Sequence, residues 1–124
     1  MTVHRRIEHI TADIYRAAIV GGGTIPTVVG VSLPPRGYIV GQKPYCLVIE
    51  AATQGMPELI TNWVRTNLSR SMQPGYFLGV WEYRGSIYLD VVRVYSERLQ
   101  AERDAAGQGE LAIYSIEDQK VEMI

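Results

Sequence analysis

The chain has 124 residues and a formal net charge of −1 at pH 7, enough for one domain with its own core and too few for two. Apolar residues make up 47% and charged residues 20%, a balance that folds rather than staying disordered. The near-neutral charge argues against a histone-like basic binder and an acidic mimic of DNA. A single cysteine, Cys46, excludes an internal disulfide framework and a cysteine zinc cluster, and His4 and His9 leave little for a histidine-built metal site.

Val3, Ile7, Ile10, Ile14 and Ala17 recur at helical spacing, which predicts a helix over residues 3–18 with Thr2 as its N-cap. Arg5 and Glu8, and His9 and Asp13, are spaced to pair along it. Gly21-Gly22-Gly23 then reads as a hinge. Thr27–Ser32, apolar and β-branched, and Tyr38–Val40 read as strands joined through Pro34-Pro35-Arg36-Gly37. Residues 45–51 read as a buried strand, with Cys46 as a small apolar core residue.

Pro57–Arg70 is the clearest amphipathic helix: Leu59, Ile60, Trp63, Val64 and Leu68 share one face, and Glu58, Asn62, Arg65 and Ser69 the other. Tyr76–Tyr83 and Ser86–Tyr95 are strands joined at Arg84-Gly85, a tight hairpin turn. Ser96 can cap a helix over Glu97–Ala106, with Gly107 at its end. Leu111–Ile116 is a strand, and Val121–Ile124 returns as a short last one.

From residue 45 the order is βαββαβ, the ferredoxin-like split-βαβ arrangement: an antiparallel sheet with both helices on one face. The fold class expected is therefore α+β. One domain spans residues 1–124, an N-terminal helix and glycine hinge over 1–23 and a sheet with two helices over 24–124.

No catalytic motif stands out. Gly21-Gly22-Gly23-Thr24 lacks the lysine of a phosphate loop and soon meets Pro26. His4, Arg5, Arg6, Glu8, His9 and Asp13 form the densest titratable cluster; a solvated helix face accounts for it, and His9 with Asp13 as base and orienting acid is the alternative. Asp90 interrupts an apolar strand and shares a side with Tyr88, Val92 and Val94. There it must face solvent, find a cation, or act. Phe77, Gly79, Trp81 and Tyr83 share one face of the neighbouring strand. Trp81, Tyr83, Arg84 and Tyr88 on the hairpin, with Arg65 and Arg70 from the long helix, are the expected interaction residues, because Trp, Tyr and Arg dominate binding hot spots. No catalytic residue, metal ligand or cofactor is assigned.

Charge and arginine usage add two details. Ten arginines stand against two lysines, a bias that tracks GC-rich genomes and also favours bidentate contacts. Residues 1–96 carry net +3 and residues 97–124 net −4, a polarity that a solvated surface explains.

At Gly79-Val80-Trp81, Tyr88-Leu89-Asp90, Ala101, Ala105 and Ala112-Ile113-Tyr114, the sequence resembles small uncharacterised proteins of actinobacteria and their phages. The resemblance covers roughly residues 75–120 and departs at Val91-Val92, where the pattern has a small polar residue. It implies a source and a compact α+β fold, and no reaction.

The function expected first is a small intracellular protein–protein interaction protein, with a phage-encoded modulator of a host or viral protein, an anti-defence role included, as one version. A nucleic-acid-binding module using the hairpin aromatics and the arginines is the second reading, weakened by the near-neutral charge. A small hydrolase or nucleotide-handling enzyme built on Asp90 or on His9 and Asp13 is the third. The partner expected is an unidentified protein, or a second copy of the chain paired through sheet edges at 27–32 or 121–124, which few lysines guard. Nucleic acid ranks below these. No apolar run approaches the ~18 residues of a membrane span and no signal-peptide pattern opens the sequence, so no membrane partner and a cytoplasmic location are expected.

Overall fold

A computed structural model describes residues 3–50 and 54–124. In chain order the elements are helix α1 (Ile7–Ile19), strands β1 (Gly22–Ile25), β2 (Tyr38–Gly41) and β3 (Leu47–Ile49), helix α2 (Met56–Ser71), strands β4 (Tyr76–Tyr83) and β5 (Ser86–Tyr95), helix α3 (Arg98–Gln108), and strands β6 (Ala112–Ser115) and β7 (Lys120–Met123). The β4–β5 hairpin is the spine. Arg84 and Gly85 take φ of 52° and 83°, the left-handed pair that lets a two-residue turn follow the twist of its strands. Tyr83 therefore meets Ser86, and the register carries Trp81 opposite Tyr88, Gly79 opposite Asp90 and Phe77 opposite Val92.

The sheet is antiparallel, in the order β1-β4-β5-β2-β6-β7, with β3 also beside β5. β2 and β3 share one edge of β5: Gly41 lies opposite Val92, and Leu47 opposite Leu89. Gln42 N–H still donates to the Val91 carbonyl at 2.8 Å. Then Lys43-Pro44-Tyr45 leaves the ladder as a single 3-10 turn, because Pro44 has no N–H to give.

That turn changes two expectations. The strand read over 45–51 shrinks to Leu47–Ile49, with Ala51 outside the described residues. The α+β class, the antiparallel sheet and the single compact domain are as the sequence predicts, but the strand order differs from the expected one. β6 pairs with β2 rather than with the three-residue β3, and β1 and β7 extend the two edges.

The three α-helices among the described residues lie on one face. Ile87, Leu89 and Val91 of β5 alternate toward that layer and join Ile10, Ile14, Ile60, Trp63 and Val64 in the main core. A smaller cluster, Val40, Ala101, Ala105 and Ile113, sits under α3. Trp63 is 8% exposed, and its indole N–H donates to the Tyr45 carbonyl at 3.1 Å. Leu59, expected on the same stripe, is exposed. The residues of opposite parity on β5, Tyr88, Asp90 and Val92, point to the face that no described helix covers.

The N-terminal third departs most from expectation. α1 starts at Ile7, not at residue 3, because Val3–Arg5 runs extended beside 27–29: Arg5 N–H donates to the Thr27 carbonyl at 2.7 Å and Val29 N–H to the Val3 carbonyl at 2.9 Å. From there Arg5 reaches Asp13, which also accepts from Arg16. Glu8 is taken by Arg6. The Arg5–Glu8 and His9–Asp13 pairs are thereby replaced, and Thr2 lies outside the described residues. The glycine run is no hinge: Gly22 and Gly23 open β1, where Gly22 at φ 149° lies so close to the Val80 carbonyl that a side chain would collide.

No strand forms over 27–32, where one isolated bridge joins His4 to Val28. Among the described strands the unpaired edges thus fall on β1, β3 and β7, not on 27–32. α3 runs past Gly107 and closes at Gly109, and its N-cap is Glu97 rather than Ser96. Among the described residues no helix is long and apolar enough to cross a membrane.

Candidate functional site

The uncovered face of the sheet is hollowed into a cavity of about 960 Å³. Its floor is made by what strand residues lack. Gly22, Gly41 and Gly79 all fall on this face through their register with Trp81, Val92 and Asp90. Of these, Gly22 and Gly79 line the cavity, and bare backbone lets neighbours lie close across the sheet: a Cβ on Gly79 would lie 2.8 Å from Val92 Cγ1. The walls are aromatic, from Trp81 and Tyr83 on β4, Tyr88 on β5 and Tyr114 on β6. Leu33, from the loop before β2, and Ile39 add apolar surface.

Two carboxyl groups meet inside this cavity. Asp90 is flanked by Gly79 on β4 and by Gly41, where an added methyl would run into Asp90 Oδ2 and lie 3.4 Å from Glu110 Oε1. Glu110 is brought there by the end of α3. Gly109, at φ 77°, donates to the Ala106 carbonyl, and Glu110 N–H donates to the Ala105 carbonyl at 2.8 Å. This is the paired C-terminal bond pattern that reverses a chain at a left-handed glycine, and here it turns Glu110 back over the sheet.

Asp90 Oδ1 is buried and has no hydrogen-bond partner. Burial first, and then the Glu110 charge, push the Asp90 carboxyl up to about 7, with a backbone bond from Val91 opposing them. Asp90 can therefore hold or release a proton near neutrality. Cys46 lines the same cavity and is exposed, contrary to the buried role expected of it, because the 3-10 turn sets it outside the ladder. Burial, then Asp90 and Glu110, raise its thiol pKa, so it is a poor nucleophile. Among the described residues no three His, Cys, Asp or Glu side chains converge to hold a metal ion.

Of the six interaction residues read from the sequence, Trp81, Tyr83 and Tyr88 lie together on this cavity. Arg84 sits at the exposed hairpin turn, its guanidinium 5.2 Å from the centre of the Tyr83 ring. Arg65 and Arg70 belong to α2, in the layer behind the sheet. Arg65 is exposed, and Arg70 stacks on Tyr45 at 3.6 Å and donates to Asn67. The residues missed by sequence reasoning are Glu110, Gly41, Tyr114 and the cavity role of Cys46. The pairing of Gly79 with Asp90 was within reach, since a two-residue turn at 84–85 sets it.

No protein-family model matches the chain, no curated protein matches it, and no solved structure matches it.

Proposed function

We propose that this chain is a small-molecule-binding protein whose ligand lies on the helix-free face of the sheet. One observation carries the reading: an aromatic-walled cavity of about 960 Å³ with a carboxyl group on its glycine floor. That volume falls in the range that takes a drug-sized molecule, and mostly apolar walls with a few convergent polar groups are the usual make-up of such sites. Phosphate ligands are disfavoured, because Asp90 and Glu110 are the charged residues lining the cavity and would repel them. The same charge weighs against nucleic acid at this face.

The test is an amide NMR screen of a fragment library on the intact chain. Binding fragments should shift the amides of Gly22, Gly23 and Gly79 and the Trp81 indole together. Fragments that shift only α2 or α3, or none that shift the cavity amides, would end the reading.

A second reading, docking of a protein partner, is favoured by the cavity rim. Trp81 and Tyr83 are 52% and 53% exposed, and Ile19 and Val20, beside β1, are 82% and 80% exposed, a concentration of apolar surface of the kind found at interaction sites. In this reading the actinobacterial or phage resemblance supplies the setting, and Arg84→Ala weakens capture of the partner without shifting the cavity amides.

A further inference from the structure

We infer that the ligand is an organic cation, an ammonium group carried on a flat or aromatic body, held by Asp90 and Glu110 from below and by aromatic rings from the sides. This rests on the cavity being a small-molecule site and names the chemistry it would take. Three observations on different elements converge. Asp90 on β5 and Glu110 after α3 reach the same spot above Gly41, and no Lys, Arg or His lines the cavity to neutralise them. Lys43, two residues after Gly41, is exposed and does not line the cavity; its Nζ would lie 3.6 Å from a Cβ on Gly109, at the outer side of the turn that carries Glu110. Trp81, Tyr83, Tyr88 and Tyr114 line the same cavity as the carboxyl groups, and electron-rich ring faces attract cations.

The charge balance follows. Below about pH 7 Asp90 keeps its proton in the unliganded chain, because burial and then the Glu110 charge disfavour its ionised form. The titratable groups that act on it are Glu110 from the turn after α3 and Cys46 before β3; Tyr83 of β4, Tyr88 of its own strand and Tyr114 of β6 line the same cavity. An ammonium ion arriving between the two carboxyl groups favours the ionised form of both. Asp90 then releases its proton to solvent, and the N–H donors of the ammonium bond the two carboxylates. No covalent bond forms or breaks beyond this O–H ionisation. A neutral ligand gives no such proton release.

Three probes with one aromatic body separate the outcomes: naphthylmethylammonium, naphthylmethanol and naphthoate, titrated into the intact chain by calorimetry and amide NMR. The expected result is that the cation binds about tenfold or more tighter than the alcohol at pH 8, as charge pairing in a partly dry site predicts. It should release protons near pH 6.5, read as a dependence of the binding heat on buffer ionisation, and naphthoate should not compete. Asp90→Asn and Glu110→Gln should each erase most of the preference for the cation, read as the ratio of its affinity to the alcohol's. Equal binding of cation and alcohol at the cavity amides overturns the inference and leaves the binding-site reading standing. So does a preference for the cation that survives both substitutions. If none of the probes shifts the cavity amides, the inference and the reading beneath it both fail.

Discussion

Asp90 carries the largest electrostatic tension described in the molecule, and its effect on stability has a definite sign. Its carboxyl, ordinarily at 3.8, is pushed up to about 7 by burial and by Glu110. Between those two values the unfolded chain ionises at this position while the folded chain keeps its proton, so the folded state binds more protons and stability falls as pH rises. Below pH 4 both states are protonated, and above pH 7 both are ionised, so the loss is confined to that window. A tenfold change in proton affinity is about 1.4 kcal/mol, which makes the loss on the order of 4 kcal/mol. Asp90→Asn should flatten the urea-denaturation profile between pH 4 and 7 and make the protein more stable than the parent at pH 8. Parallel pH profiles for the two proteins would show that Asp90 ionises as freely in the fold as out of it.

At the scale of the element, α2 shows what an amphipathic pattern decides. Glu58, Asn62, Arg65 and Ser69 are all exposed, as their spacing predicts, and Ile60, Trp63 and Val64 are buried. The buried arc is rotated slightly, taking in Asn67 and Ser71 and releasing Leu59. The reason lies in the partners: Ser71 bonds Thr27 at 3.0 Å and Asn67 bonds the Trp63 carbonyl at 2.9 Å, contacts that hydrophobicity cannot forecast. Trp63 joins α2 to the 3-10 turn through Tyr45. Trp63→Ala should cost about 3–5 kcal/mol, as for other buried aromatics, measured by denaturant unfolding. A loss below about 1 kcal/mol would mean that the indole is not part of the core. The hairpin was equally legible, since its turn and both strand bounds follow from Arg84-Gly85 and the flanking alternation. The start of α1 and 27–32 were not, because a β-branched segment suits a strand or a loop equally until something pairs with it.

Across the whole molecule the core is divided. The larger cluster spans α1, α2 and strands β1, β3, β4 and β5, whereas the cluster under α3 has four fully buried members, two of them alanines. Polar contacts supplement the smaller one: Tyr95 donates to Asp104 at 2.9 Å, and Gln42 donates to the same carboxylate at 3.0 Å. Burial and the Asp104 hydrogen bond push the Tyr95 phenol up to about 12. Less apolar burial means an earlier opening. Hydrogen exchange should therefore show α3, β6 and β7 exchanging through a local opening, while the amides of Leu78, Leu89 and Val91 exchange only on global unfolding. Uniform protection across both regions would indicate one cooperative unit. Since Glu110 hangs from the end of α3, opening of this region would also open the cavity.

By itself the sequence determined the α+β class, the hairpin and its register, the long helix and the face on which Asp90 lies, because each depends on periodicity or on a turn of two residues. Tertiary structure alone decided the strand order, the use of the glycine run as an edge strand and the meeting of Asp90 with Glu110. Those two residues are twenty positions apart, and Gly41 and Cys46 come from the other side of β5. Their convergence depends on how the sheet curls and where α3 ends, and no local pattern of side chains encodes either.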